Sequence, residues 1–248
     1  MIDKVVIPAA GKGTRVQLLA NGTPKEMLRL GRRAMIEYAI DEAIKTDIGN
    51  IGIIINKHKE IIKKYLWDVY KQSNITYFYQ SYPYGLGDAI KLTDEWIDEP
   101  YAVILPDEII LGNSPAIKEL IKVHFKYGTS VIGVTNREHI DKYGVIYGEE
   151  IDEGIYRVKK IIEKPSRQMI SSNMVILGRY ILSPKLFEFI SDINPRTQEV
   201  ELTDALNKLL KTEDIYAVSF KNPVFDCGNM QGIMKFIDYI QYNKEMLA

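Results

Sequence analysis

Cysteine is almost missing from this chain. The one present, Cys227, rules out an internal disulfide and fits a reducing compartment. An excess of charge is missing too: 32 Lys and Arg face 33 Asp and Glu, for a net charge of -1. General nucleic-acid binding usually needs a basic surface, so no nucleic-acid partner is expected and any anion site has to be local. No apolar run approaches the ~20 residues of a membrane span, and no membrane partner is expected. The three histidines, His58, His124 and His139, lack metal-ligand spacing. Nor does a Gly/Ser/Pro linker, a low-complexity tract or an internal repeat divide the 248 residues. Met1-Ile2-Asp3-Lys4 leads straight into a strand pattern, without the features of a signal peptide, so a cytoplasmic location is the expectation.

What is there alternates. Strand-like apolar runs cover residues 4–7, 51–55, 75–79, 101–105 and 130–134. Helical periodicity fills the gaps at 35–45, 58–70, 86–96 and 116–127; the first of these puts Ile36, Ala39, Ile40, Ala43 and Ile44 on one face. This rhythm predicts an α/β fold, Rossmann-like, with a mostly parallel mixed sheet flanked by helices. After about residue 136 strands come closer together, at 145–147, 156–163, 174–182 and 215–220, with helices at 184–190, 202–211 and 230–243. The second half is expected to continue the sheet and to add an antiparallel elaboration. A single domain over 1–248 is expected, with halves at about 1–136 and about 137–248. The helix at 230–243 could cover the sheet or pair subunits, so a homo-oligomer stays open.

The first loop, Pro8-Ala9-Ala10-Gly11-Lys12-Gly13-Thr14-Arg15, follows an apolar strand, and Pro24-Lys25-Glu26-Met27-Leu28 comes soon after. Two glycines let backbone amides approach an anion closely, with Arg15 and Lys25 beside them. The P-loop pattern fails for want of a correctly spaced upstream glycine. The dinucleotide pattern fails at Val16, where it needs glycine, and at Asn56, where it needs an acid. An ordinary strand-to-helix turn is the remaining plain reading.

The sequel decides. Ala-Ala-Gly-x-Gly-Thr-Arg followed by Pro-Lys-Glu-Met-Leu resembles the sugar-phosphate nucleotidyltransferases, most of all the bacterial-type UTP–glucose-1-phosphate uridylyltransferases. The resemblance continues through Gly85-Leu86-Gly87-Asp88-Ala89, Val103-Ile104-Leu105-Pro106-Asp107, Tyr143-Gly144-Val145 and Glu163-Lys164-Pro165. Ser172-Asn173, Gly178-Arg179-Tyr180, Glu201-Leu202-Thr203-Asp204-Ala205 and Asp226-Cys227-Gly228-Asn229 complete it. It implies an enzyme that makes UDP-glucose and pyrophosphate from UTP and glucose 1-phosphate, by in-line attack on the α-phosphate.

Such chemistry needs two anionic reactants aligned and their growing charge neutralised. Resemblance implies Mg²⁺ on Asp107 and Asp226, and two carboxylates suit that cation. It implies a nucleotide site of Ala10, Gly11, Gly13, Thr14, Glu26, Gln80 and Gly85, with Arg15 and Lys25 on the triphosphate and leaving pyrophosphate. Gln80 offers a donor and an acceptor to a uracil edge. For the sugar phosphate it implies Lys164 as the cation, with Gly144, Glu163 and Asn173 around the sugar. Thr203 and Asp204 are read as N-capping their helix instead. Tyr77, Phe78, Tyr79, Tyr82 and Tyr84 are read as core and loop packing.

The chain departs from the family at three places. Asn21 replaces a basic residue, within Gln17-Leu18-Leu19-Ala20-Asn21. Asp88 replaces histidine. The stretch between Leu66 and Asn74 lacks a helical excursion that often shapes subunit contacts. The alternative readings are a glucose-1-phosphate thymidylyltransferase or other sugar-1-phosphate nucleotidyltransferase, and a non-catalytic sugar-nucleotide sensor. The thymidylyltransferase motifs favour Gly-Asp-Asn over Leu-Pro-Asp and Gly-Leu-Ala over Gly-Leu-Gly. An oxidoreductase reading rests on Gly11 and Gly13 alone.

Overall fold

A computed structural model describes residues 1–16, 22–166, 171–191 and 199–243. Asn21 and the segment around it lie outside the described residues. Thirteen strands are assigned: β1 (Lys4–Pro8), β2 (Arg29–Leu30), β3 (Arg33–Ala34), β4 (Asn50–Ile55), β5 (Asn74–Tyr79), β6 (Tyr101–Ile104), β7 (Glu108–Ile110), β8 (Ser130–Asn136), β9 (Gly144–Asp152), β10 (Ile155–Glu163), β11 (Met174–Leu182), β12 (Ile215–Ser219) and β13 (Val224–Asp226). The α-helices are α1 (Met35–Ile44), α2 (Glu60–Val69), α3 (Leu86–Lys91), α4 (Ala116–Tyr127), α5 (Leu186–Ser191), α6 (Leu202–Leu209) and α7 (Met230–Tyr242).

Nine strands form one sheet in the order β5-β4-β1-β6-β11-β8-β12-β10-β9. Strands β5, β4, β1 and β6 run parallel, and β12 runs parallel to β8. Strand β11, from the second half, lies antiparallel between β6 and β8, both from the first, so the two halves interleave in one sheet. The antiparallel elaboration is the β9–β10 hairpin, whose turn holds Gly154 at φ 68°. Both faces of the central strands are covered, which is why they read as continuous apolar runs. Val6 and Ile54 pack into the core on one face, and Val5, Ile7, Ile51, Ile53 and Ile55 into the core on the other. Helix α1 buries the face read from its periodicity, except that Ile44 is exposed. Helix α4 ends where Gly128 takes a left-handed φ of 70° and donates its N–H to His124 O.

Some elements differ from expectation. The helix read at 86–96 stops at Lys91, because Thr93 turns its hydroxyl onto Ile90 O at 2.8 Å and a short 3₁₀ turn, Asp94–Trp96, follows. Strand β9 runs well past Tyr147, through Gly148, Glu149 and Glu150, polar residues that carry no apolar alternation. The largest difference is a two-stranded antiparallel ribbon, β7 with β13, pairing Glu108 with Asp226, Phe225 with Ile109 and Val224 with Ile110.

The ribbon has its own small core. Leu30, Met35, Ile109, Phe225, Cys227, Ile233 and Phe236 pack beneath it. Helix α7 therefore covers the ribbon with Gly232, Ile233 and Phe236, while Met230, Met234 and Tyr242 stay exposed. Phe236 is fully buried and meets the rings of Tyr38 and Phe225 edge-on at 5.5 and 5.3 Å. Phe236→Ala should cost about 3–5 kcal/mol of stability through cavity formation, measured by urea unfolding. Amide exchange in 224–226 should speed up in the same variant.

Candidate active site

Strands β1, β4, β5 and β6 are parallel, so their carboxyl ends open at one edge of the sheet, where α/β proteins place ligands. Four segments converge there. Pro8 leads into the glycine loop, Ile55 into Asn56 and Lys59, Tyr79 into Gln80, and Ile104 into Asp107. A cavity of about 490 Å³ lies between them, lined among others by Gly11, Thr14, Arg15, Glu26, Gln80 and Asp107. Ala10, Gly13, Lys25 and Gly85 line it too, so every residue assigned to the nucleotide site from the sequence borders one space.

The loop is held from below by a residue that the sequence reading passed over. Lys59 Nζ donates to Ala9 O at 2.7 Å, Gly11 O at 2.6 Å and Glu26 Oε2 at 2.7 Å. Asn56 Nδ2 takes Ala10 O between them at 2.7 Å. Three successive carbonyls are thus drawn into the protein. In a trans peptide the N–H points opposite to its C=O, so the amides of Ala10, Gly11 and Lys12 turn the other way, toward the cavity that these residues line. That is an anion cradle built by one ammonium and one amide beneath it. Asn56 had counted only as a failed acidic position, and Lys59 read as part of an amphipathic helix. A lysine at a helix start gives no sequence signal of burial, yet this one is 6% exposed.

Glu26 is fully buried, and its Oε1 has no protein partner among the described residues. Burial pushes its carboxyl above the ordinary value, against the pull of the Lys59 and Lys25 ammoniums. Burial likewise lowers Lys59, and Glu26 opposes it. Lys25 lies across from Asp107, Nζ to Oδ2 2.5 Å. Burial works against both charges, but the Asp107 and Glu26 carboxylates together outweigh it at Lys25, and Lys25, Arg15 and backbone hydrogen bonding together outweigh it at Asp107. Lys25 is held above its usual pKa and Asp107 below its own.

The ribbon brings the second aspartate to the first. Cys227 N donates to Asp107 O at 2.7 Å, one residue beyond the Glu108–Asp226 pair. Between the two carboxylates lies Gly228: a Cβ there would stand 2.7 Å from Asp107 Oδ2 and 3.0 Å from Asp226 Oδ1. Two carboxylate oxygens therefore flank one point, which only glycine leaves open. Among the described residues no cluster of three His, Cys, Asp or Glu side chains could hold a metal. Two carboxylate oxygens on a rigid ribbon fit a divalent, oxygen-preferring cation whose remaining ligands come from substrate phosphates and water. Cys227 is buried beside them and its thiol is pushed well above the usual range by burial, so it is inert packing.

The loop of Asp107 is fixed from behind. Arg179, 1% exposed, meets Glu42 at 2.8–3.0 Å and donates to Leu105 O at 3.2 Å and Glu108 O at 2.9 Å. Glu108 is buried and accepts from Gly178 N at 2.8 Å. Burial raises its carboxyl to about 7, against the pull of Arg137.

Of the residues expected at the sugar phosphate, Gly144, Glu163 and Lys164 meet at the open end of the β9–β10 hairpin. Gly144 and Glu163 are register partners, and Lys164 follows with a left-handed φ of 41°. Lys164 Nζ reaches Glu201, and Glu163 Oε1 at 3.3 Å; burial opposes its charge, but the Glu201 and Glu163 carboxylates together raise the lysine's pKa. Thr203 does not N-cap α6. That position belongs to Glu201, and Thr203 lies inside the helix, donating its hydroxyl to Glu163 Oε2 at 2.8 Å. Nor is Gly144 open on all sides: a Cβ there would meet Thr203 Cγ2 at 2.8 Å. Asn173 is exposed at the start of β11, where its carbonyl accepts from Arg137 N at 3.0 Å.

Tyr143 links the carboxylate pair to Lys164. Its hydroxyl donates to Asp226 Oδ2 at 2.7 Å and accepts from Arg137 Nη1 at 2.6 Å, while its carbonyl accepts from Lys164 N at 3.0 Å. The structure thus places an amide cradle, two cations, a carboxylate pair and a further lysine along one edge of the sheet. This is the constellation of an enzyme that transfers a nucleotidyl group. Residues 4–242 match the family Nucleotidyl transferase, and the chain belongs to it. A UTP–glucose-1-phosphate uridylyltransferase of Staphylococcus epidermidis is 34% identical, over 99% of this chain and 94% of that protein. One from Pseudomonas aeruginosa is 33% identical, over 96% of each. A crystal structure of UDP-glucose pyrophosphorylase complexed with UDP-glucose superposes with a TM-score of 0.91 at 33% identity, covering 98% of this chain and all of that one.

Lys59→Met should cost about 3–5 kcal/mol in urea unfolding, because it leaves the Glu26 charge buried alone. Replacing both, Lys59→Met with Glu26→Leu, should recover much of that loss. Equal stability of the single variant and the wild type would show that the pair does not hold the loop.

Proposed function

We propose that this protein joins UTP to glucose 1-phosphate, releasing pyrophosphate and forming UDP-glucose, with Mg²⁺ at Asp107 and Asp226. The observation that carries this reading is Gly228. It leaves a gap flanked by both carboxylates, beside the cavity that Gly228, Arg15 and Lys25 line.

The reaction needs no covalent enzyme intermediate. An oxygen of the sugar phosphate attacks the α-phosphorus as the bond to the bridging oxygen breaks, and pyrophosphate leaves with the electron pair. The amides of Ala10, Gly11 and Lys12 hold the triphosphate, with Gly13 and Thr14 completing the loop. Arg15 and Lys25 neutralise the charge that grows on the leaving pyrophosphate. Arg15 presents a planar fork to phosphate oxygens. Lys25 lies against Asp107, and Asp107 and Asp226 would hold Mg²⁺, which would supply a Lewis acid and a template for the reaction. Tyr143 and the Gly228 amide keep the Asp226 carboxylate oriented. Lys164 draws in the sugar phosphate, while Glu163, fixed by Thr203, accepts from sugar hydroxyls, with Gly144 and Asn173 alongside. Glu26, Gln80 and Gly85 surround the base. A cytoplasmic location goes with this reading; no helix of the described residues is long and apolar enough to cross a membrane.

A pyrophosphate-release panel over nucleoside triphosphates and sugar 1-phosphates tests the assignment. UTP with glucose 1-phosphate should give the highest kcat/KM, and no turnover with any pair would leave a sugar-nucleotide sensor in its place. Asp107→Asn should cut turnover on the order of 10²-fold or more. Lys164→Ala should raise the KM for glucose 1-phosphate more than that for UTP.

A further inference from the structure

Gln80 stands in the cavity wall just after β5 and is 5% exposed. Its side chain has a donor end and an acceptor end, and which of them faces a ligand decides what the pocket accepts. Here the donor end is taken. Gln80 Nε2 donates to Asp88 Oδ2 at 2.7 Å and lies 3.3 Å from Gly85 O. Both neighbours are acceptors only, a carboxylate and a peptide carbonyl. Turning the amide over would set its oxygen against two oxygens and strip a buried group of its partner. The neighbours' chemistry alone therefore fixes the amide.

Asp88 is placed for this task by the backbone. It lies on α3, which begins at Gly85 with φ 111°, a conformation closed to other residues here because a Cβ would stand 2.6 Å from Val200 O. Gly87 N donates to the same carbonyl at 2.8 Å, which anchors the first turn of α3 beneath Gln80. The pocket now shows a pattern. Among the described residues Gln80 has only its oxygen left for a ligand, and Glu26 Oε1 is a second buried acceptor without a partner. A fitting base has to bring an N–H to this wall. Uracil carries one at N3, whereas cytosine carries a bare acceptor nitrogen at the same ring position.

We infer that Asp88 sets base choice: by holding the Gln80 amide with its oxygen toward the cavity, it makes the site select a pyrimidine that carries N3–H over one that does not. Asp88 is a positioning residue and acts through Gln80. The inference rests on the reading of this cavity as the nucleotide site with Gln80 at the base edge.

The test compares kcat/KM for UTP and CTP, each with glucose 1-phosphate, in the wild type, Asp88→Leu, Asp88→Asn and Gln80→Met. Asp88→Leu frees the amide to turn, so the UTP/CTP ratio should fall about tenfold, the worth of one buried hydrogen bond. The loss should appear in the KM for UTP, with the KM for glucose 1-phosphate unmoved. Asp88→Asn keeps an oxygen that can accept from Nε2 and should retain most of the ratio. A folded Asp88→Leu with wild-type discrimination, beside a Gln80→Met that has lost it, overturns the role of Asp88 and leaves the base site standing. Wild-type discrimination in both overturns the base-site reading as well. Should Asp88→Leu not fold, Asp88→Ala gives the same decision by the same ratio.

Discussion

Asp107 and Asp226 are far apart in the chain and belong to different halves of it, and a ribbon of three residues on each side joins them. Its register, Asp226 opposite Glu108, sets where the two carboxylates meet. The ribbon is too short to hold itself together, since an isolated two-stranded hairpin is marginal in water. It persists because packing is supplied from both directions. Helix α7 and the Tyr38 and Phe236 rings press on one side, and the buried Arg179 grips the carbonyls of Leu105 and Glu108. The geometry of the carboxylate pair is therefore a property of the whole fold more than of the two aspartates.

A similar economy governs the glycine loop. Its ability to hold an anion comes from what lies underneath, where Lys59 and Asn56 fix three carbonyls and so orient the amides above them. Electrostatic preorganisation of this kind costs nothing at the moment of reaction, because the dipoles are already aligned when a substrate arrives. It was settled when Lys59 was buried against Glu26.

The sheet strands were legible in the sequence because burial on both faces leaves an unmistakable apolar run, as at Ile53, Ile54 and Ile55. The residues around the cavity were legible through motifs. Neither kind of signal exists for the ribbon: Glu108-Ile109-Ile110 and Val224-Phe225-Asp226 are too short to show a period, and their pairing is non-local. Lys59 looked like one more solvated lysine, and Thr203 like a cap, since a hydroxyl near a helix start does both jobs. Asp88 was visible only as a departure from a family pattern. Its partner had to be seen before the substitution acquired a chemical meaning.

Lys164 carries one more consequence. Its backbone sits in the left-handed region at φ 41°, where a side chain costs about 1–2 kcal/mol and glycine nothing. Conformation alone would favour glycine at this point of the chain, while the proposed contact with a sugar phosphate calls for a cationic side chain there. The residue thus marks a place where rigidity and reactivity pull in opposite directions. A selection for heat resistance alone would tend to erase it, and with it the proposed hold on the sugar phosphate.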